Sequence, residues 1–230
     1  MTQLTGEERA AYVQGMFTKI ARRYDLMNRL MTGGQDVQWR KMVIRLAQID
    51  NDSSLLDLGS GTGDLAREAA RQFPQAKVIA SDFTLEMMRV GKQNGALNFS
   101  TADALRLPFA DSSFDAVISG FLMRNVIDLQ KAIAEQYRIL KNGGRIVILD
   151  TTRPKKNFLS PFIWLHMHFV IPTLGALLTG VGEAYRYLPE TTEGFVTAED
   201  MAARMAAAGF KNINFKRLMF GTIAIHWGEK

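Results

Sequence analysis

The chain has 230 residues, of which 47% are hydrophobic and 22% charged, enough for one full-sized core and unlike collagen-like, disordered or acidic-tail compositions. Its net charge of +5 is spread without a basic run, so no nucleic-acid partner is expected. There is no cysteine, which excludes disulfide frameworks, thiolate nucleophiles and Cys-ligated metals and points to a reducing, cytoplasmic setting. The polar start at residues 2–8 lacks the basic and apolar parts of a signal peptide and supports the same expectation. Of the histidines His166, His168 and His226, the first two form an i,i+2 pair without a nearby carboxylate, which is poor ligand spacing on a helix, and no metal is expected.

Residues 1–45 carry Tyr12, Met16, Ile20, Tyr24 and Met27 at spacings of three and four, the stripe of an amphipathic helical cap. Apolar runs at residues 55–58, 78–80, 114–118 and 145–149 read as strands, separated by helical patterns such as residues 65–73 and 129–140. Repeated strand and helix of this kind predicts an α/β fold, a mostly parallel sheet wrapped by helices with ligands at the carboxyl ends of the strands. Thr197 followed by Asp200 reads as a capping box, opening a helix that Gly209 stops. Residues 213–220 and 222–227 then flank Gly221 closely enough for an antiparallel pair. The parts divide one domain, 1–230, into a helical cap (1–45), a core (53–150), an apolar segment (156–190) and a C-terminal helix with two strands (197–230).

The first strand runs through Asp57 into Gly59, Ser60, Gly61, Thr62 and Gly63 and then a helix, so backbone can approach a nucleoside-like ligand beneath a helix N-terminus. Asp64 stands where a dinucleotide fingerprint wants a third small residue, and its charge opposes a pyrophosphate. The pattern resembles the first motif of class I S-adenosylmethionine-dependent methyltransferases, whose cationic sulfonium and ammonium tolerate carboxylates. Asp82, with Phe83 after it, ends the second strand where an acceptor for ribose hydroxyls belongs. Asp103 and Ala104, ahead of Pro108 and Phe109, resemble the adenine site of the same class. This likeness implies a Rossmann-like, seven-stranded sheet with an antiparallel last pair, and S-adenosylmethionine as cofactor with S-adenosylhomocysteine as product.

Three further segments, residues 24–28, Arg124 with Asn125, and residues 185–188, resemble the ubiquinone/menaquinone C-methyltransferase family over nearly the whole chain. The likeness implies methylation of a ring carbon of a polyprenylated quinol, with Tyr24, Arg124 and Asn125 at the acceptor and Gly120 beside the cofactor. Gly120, Phe121, Leu122 and Met123 replace the family's Ser-Phe-Gly-Leu, and residues 32–36 replace a Ser-Phe-Gly stretch. Arg124 is expected over the acceptor ring, stabilising its developing charge.

Residues 157–182 hold 26 positions without Asp, Glu, Lys or Arg. Length alone permits a membrane span, but Pro161, Pro172, Gly175 and Gly180 interrupt it, and a crossing would split one sheet. A lid with peripheral membrane contact for a lipophilic quinol is the preferred reading; a buried homodimer face and a plain core are the others. An O- or N-methyltransferase for small molecules and a cofactor-binding protein without transfer activity are the rival functions.

Overall fold

The structure, a computed structural model, describes residues 6–95, 97–154, 158, 160–170, 172–173 and 191–230. Three helices lead: α1 (Gly6–Ile20), α2 (Tyr24–Met31) and α3 (Asp36–Ala47), with a 3-10 turn, Ala21–Arg23, between the first two. Met16, Ile20 and Met27 are buried, and Tyr12 and Tyr24 pack against them, so the sequence stripe is the inner face of the cap. In chain order there follow β1 (Ser54–Leu58), α4 (Asp64–Gln72), β2 (Lys77–Asp82), α5 (Leu85–Gln93), β3 (Asn98–Thr101), β4 (Phe114–Gly120), α6 (Leu129–Ile139) and β5 (Leu140–Thr151). A short α7 (Ser160–Leu165) runs into π-helical turns, His166–Val170, and the chain ends with α8 (Ala198–Ala207), β6 (Lys211–Leu218) and β7 (Ile223–Glu229).

The sheet has seven strands in the order β3-β2-β1-β4-β5-β7-β6. All pairings from β3 through β5 are parallel, and β7 lies antiparallel to both β5 and β6. Successive residues of the central strands point to opposite faces and both faces are covered. Leu56, Leu58, Val117, Ile146 and Ile148 meet α6 and α8 on one side, while Leu55, Ala116, Ile118, Val147 and Leu149 meet α3 and α4 on the other. Each such leucine, isoleucine or valine contributes about 1.5–3 kcal/mol by leaving water, which makes the sheet a rigid base for the loops at its ends.

Two differences from the expected elements have local causes. β3 is a short edge strand of partly exposed, mostly polar residues, so no apolar run marks it. β5 starts before residue 145: Leu140 pairs with Phe114, and a register shift then brings Arg145 opposite Ala116. Residues 141–144 lie within this irregular strand, where Gly143 N–H donates to the Lys230 carbonyl at 3.0 Å. Residues 185–188 and most of the 156–190 segment lie outside the described residues.

The winding reverses at β1 and β4. From β1 the chain moves outward through β2 to β3, then returns to β4 and proceeds to β5 on the other side. Loops leaving β1 and β4 therefore diverge, and the crevice between their carboxyl ends is where an open α/β sheet takes a ligand. At the far edge, His226 is a core residue whose Nε2 meets the Ala198 carbonyl at 2.9 Å, and burial draws its pKa down to about 4.

The capping box is formed at the start of α8: Thr197 Oγ1 accepts from Asp200 N–H, and the Asp200 carboxylate accepts from Thr197 N–H. Thr197→Ala should cost about 1 kcal/mol of unfolding free energy in urea titration, with Thr197→Ser close to wild type. An unchanged alanine variant would show that the cap contributes nothing.

Candidate functional site

The loop leaving β1 is shaped by close approaches. Gly59 has φ +66°, and a Cβ there would lie 2.8 Å from the Leu122 side chain; Gly63, at φ +90°, would place one 2.7 Å from Leu97. Neither position accepts an L side chain without moving its neighbours. The loop is stitched to the end of β2 by two contacts. Ser60 N–H donates to the Ser81 carbonyl at 2.9 Å, and Gly61 N–H donates to Asp82 Oδ2 at 2.7 Å. Asp82 Oδ1 accepts from Thr84 N–H, also at 2.7 Å, so this carboxylate holds two chain segments at once. Burial raises its pKa, against the pull of these backbone donors.

Two cavities open at this end of the sheet. The larger is lined on one side by Val13 and Phe17 of α1 and on the other by Asp82, Phe83, Asp103 and Ala104, with Asn125 at the β4 edge. The smaller is polar, lined by Asn28, Arg40, Asp57, Ser60, Thr62 and Asp64 among others. Tyr24, Gly59, Gly61, Gly120 and Phe121 belong to both and mark where they meet. Every residue expected at the cofactor thus lines one or the other except Gly63, which caps α4. Asp103 is exposed, and its Oδ1 accepts from Leu105 N–H at 2.9 Å.

The sequence shows Asp57 and Asp64 in the glycine-loop pattern and Asp25 in the segment 24–28, and the structure gives these acids partners. Arg40 bridges Asp36 at 2.8 Å and Asp64 at 2.6 Å, and Arg67 reaches Asp64 at 3.1 Å. Asp25 Oδ1 accepts from the Thr62 hydroxyl at 2.7 Å, tying α2 to the loop; burial first, and then Asp64, raise its pKa. Asp57 is fully buried. Its Oδ2 accepts from Ala66 N–H at 3.0 Å, whereas Oδ1 has no hydrogen-bond partner. Burial, assisted by Asp82 and Asp64, pushes its pKa up to about 7. An orphaned oxygen on a buried carboxylate marks a place where a donor or a cation would gain.

The three residues expected at an acceptor divide. Tyr24 stands at the junction of the cavities, edge-on to Phe17 with ring centroids 5.7 Å apart. Desolvation raises its phenol pKa, opposed chiefly by the charge of Arg124. Asn125 lines the larger cavity and donates through Nδ2 to the Phe121 carbonyl at 3.0 Å. Arg124 does not stand over the space where an acceptor ring was expected, because its side chain is buried behind that space. Nη1 donates to Asp150 Oδ1 at 3.1 Å, and its backbone N–H donates to Asp150 Oδ2 at 3.2 Å. The guanidinium also lies 5.1 Å from the centre of the Phe121 ring. A sequence places a cation after a strand but not which way it turns. Asp150 was overlooked although an acid at the end of an apolar strand is the same signal that singled out Asp82. α1 closes the crevice by two further contacts: Arg9 donates to the Arg124 carbonyl at 3.0 Å and Gln14 to the Phe83 carbonyl at 3.2 Å.

A family model described as the ubiE/COQ5 methyltransferase family matches residues 2–230. The chain is 44% identical to the "Ubiquinone/menaquinone biosynthesis C-methyltransferase UbiE" of Desulfotalea psychrophila, over 95% of this chain and 90% of that protein. It is 42% identical to the "Demethylmenaquinone methyltransferase" of Thermus thermophilus, over 94% of this chain and 100% of that one. Among solved structures, the [4+2]-cyclase SpnF superposes with a TM-score of 0.70 at 16% identity, covering 98% of this chain and 96% of its own. That likeness is one of fold alone.

The buried pair sets an expectation for stability. Arg124→Ala leaves Asp150 buried without its cation and should cost about 3–5 kcal/mol in denaturant titration. A solvated loop cation would change stability by no more than about 0.5 kcal/mol, and that result would contradict the burial described.

Proposed function

The chain belongs to the ubiE/COQ5 methyltransferase family, and from that premise we propose that it methylates a ring carbon of a polyprenylated quinol, demethylmenaquinol or its benzoquinol counterpart, at the expense of S-adenosylmethionine. The observation that carries the reading is the meeting of an acid-lined cavity with a larger, mostly apolar one at Tyr24, Gly59 and Gly61. The residues fit the cofactor. Asp82 ends β2 and lines the larger cavity, which puts its carboxylate in place to accept from ribose hydroxyls. Asp103 and Phe83 border the space for the adenine. The orphaned Asp57 oxygen, with Asp64 and Asp25 nearby, suits the positively charged amino-acid end. When bound there, the cofactor supplies an electrophilic methyl group on a cationic sulfur.

The chain's part in the chemistry is positioning and charge. Tyr24 and Asn125 are the polar side chains beside the junction and orient the acceptor's hydroxyls. With its phenol pKa raised, Tyr24 keeps its proton near neutral pH and acts as a donor. Arg124, held by Asp150, contributes a fixed positive charge that acts on Tyr24 and favours a quinolate, whose hydroxyl proton is released to bulk solvent. Its place in the reaction is that of a positioning residue. Phe17, Val13 and Phe121 exclude water from the same space, which strengthens each of these interactions.

A lipophilic acceptor must be taken from a membrane. Among the described residues no helix is long and apolar enough to cross one. Peripheral contact through residues 157–182 suits the task, and Phe158, Trp164 and Phe169 in that segment stand exposed.

Methyl-labelled S-adenosylmethionine incubated with each quinol should leave label on a ring carbon; label on oxygen, or tight cofactor binding without transfer, would contradict the proposal. A second expectation concerns pH. Asp57 has a pKa of about 7, and a bound cation favours its ionised form, so binding releases a proton. Cofactor affinity should therefore fall as pH drops below about 7, by up to about tenfold per unit, and Asp57→Asn should flatten the profile. A wild-type Kd that is constant between pH 5.5 and 8 by calorimetry would remove Asp57 from the site.

A further inference from the structure

Among the described residues, the large apolar side chains that stand exposed gather at one end of the molecule, the end to which the parallel strands point. Phe83 and Leu85 follow β2, Ile127 follows β4, and Phe158, 85% exposed, follows β5 with the exposed residues of α7 and its π-helical turns. Phe220, 71% exposed, stands in the β6–β7 turn, which is fastened to the end of β5 by Thr152 N–H on the Thr222 carbonyl at 2.9 Å. Leu26 and Leu30 lie on α2, whose Asp25 is bonded to the glycine loop. Single exposed leucines are ordinary on a soluble protein. Their concentration around the mouths of two cavities is not.

The Lys19–Met31 stretch gives this end its charge. Lys19, Arg22, Leu26, Arg29 and Leu30 are exposed at spacings of three and four, with Arg23 beside them. Arg29 leans towards Asp36 at 3.4 Å while keeping half its side chain in solvent. The one acid in the stretch, Asp25, turns inward to Thr62. Cations at the end of α1 and in the 3-10 turn, followed by Leu26, Arg29 and Leu30 on α2, complement a surface that is anionic above and apolar below. An acidic protein would match the cations but leave Leu26 and the ring of apolar residues around the cavities unexplained.

We propose that the cleft-bearing end of the protein lies face-down on an anionic lipid surface, with the Lys19–Leu30 face as its charged anchor and the cavity mouths towards the bilayer. The proposal takes its purpose from the lipophilic acceptor read above, and adds to residues 157–182 a second, independent point of contact. In this pose an acceptor passes from the lipid into the crevice without crossing water, while α1 remains over the cofactor side.

The test is flotation of the full chain with phosphatidylcholine vesicles with and without phosphatidylglycerol, at low salt. Lys19→Gln with Arg22→Gln should weaken binding to the anionic vesicles about 25-fold, about fivefold per cation. Leu26→Ser with Leu30→Ser should weaken it by more than about tenfold. Neither pair lines a cavity, so transfer to a short-chain, water-soluble quinol should stay at the wild-type rate, which also shows that both variants fold. Trp164→Ser with Phe169→Ser reports on the apolar segment separately. If that pair alone abolishes binding, the Lys19–Leu30 anchor is overturned and the contact through residues 157–182 stands. If the wild type does not float at all, both fall. If the leucine pair changes sedimentation of the free protein and not its vesicle binding, the face belongs to a second copy of the chain and the proposal is overturned.

Discussion

The carboxylate of Asp82 is the point on which the site depends. The loop between β1 and α4 has few regular hydrogen bonds of its own, and Asp82 holds it through Gly61 N–H while fixing the next turn through Thr84 N–H. Charge-assisted bonds of this kind contribute about 1.5–3 kcal/mol each. They explain how a run of residues with left-handed backbone keeps a single shape at the end of a rigid sheet. They also mean that a ligand in the crevice meets a carboxylate already oriented by the fold.

Around that point the charges are arranged in opposition. Asp57, Asp64, Asp25 and Asp36 gather on one side of the glycine loop, and Arg40 and Arg67 neutralise them only in part. A cradle for phosphate would present backbone N–H groups and cations to its ligand; here three carboxylates, Asp25, Asp57 and Asp64, line the cavity against one cation, Arg40, and Asp57 keeps an unpaired buried oxygen. That preference for a positive ligand is a property of the cavity, and it agrees with the sequence argument from Asp64. Across the crevice Arg124 and Asp150 form the reverse arrangement, a buried cation whose charge acts on Tyr24 from behind.

How much of this was legible depended on range. Continuous apolar runs announced β1, β4 and β5 because burial on both faces demands them, and Thr197 with Asp200 announced α8 because a cap is satisfied within four residues. The glycine pattern showed a close approach for the same local reason. β3 was missed because a short edge strand needs no apolar run. The destination of Arg124 was misjudged because it is decided by Asp150, 26 residues away in sequence, and by the burial of both. The ion pair of Arg40 with Asp64, which joins helices α3 and α4, was invisible for the same reason, and the outward residues between Lys19 and Leu30 were concealed by the apolar stripe on the inner side.

The account rests on the glycine loop and Asp82 forming one site for S-adenosylmethionine. Calorimetric titration of the wild type and of Asp82→Asn with that cofactor, with thermal stability measured beside it, tests this most directly. The predicted result is a Kd weakened at least about tenfold in the variant, because ribose hydroxyls lose a charged acceptor, with negligible binding of NADH to either protein. An unchanged Kd in a folded variant would contradict the account.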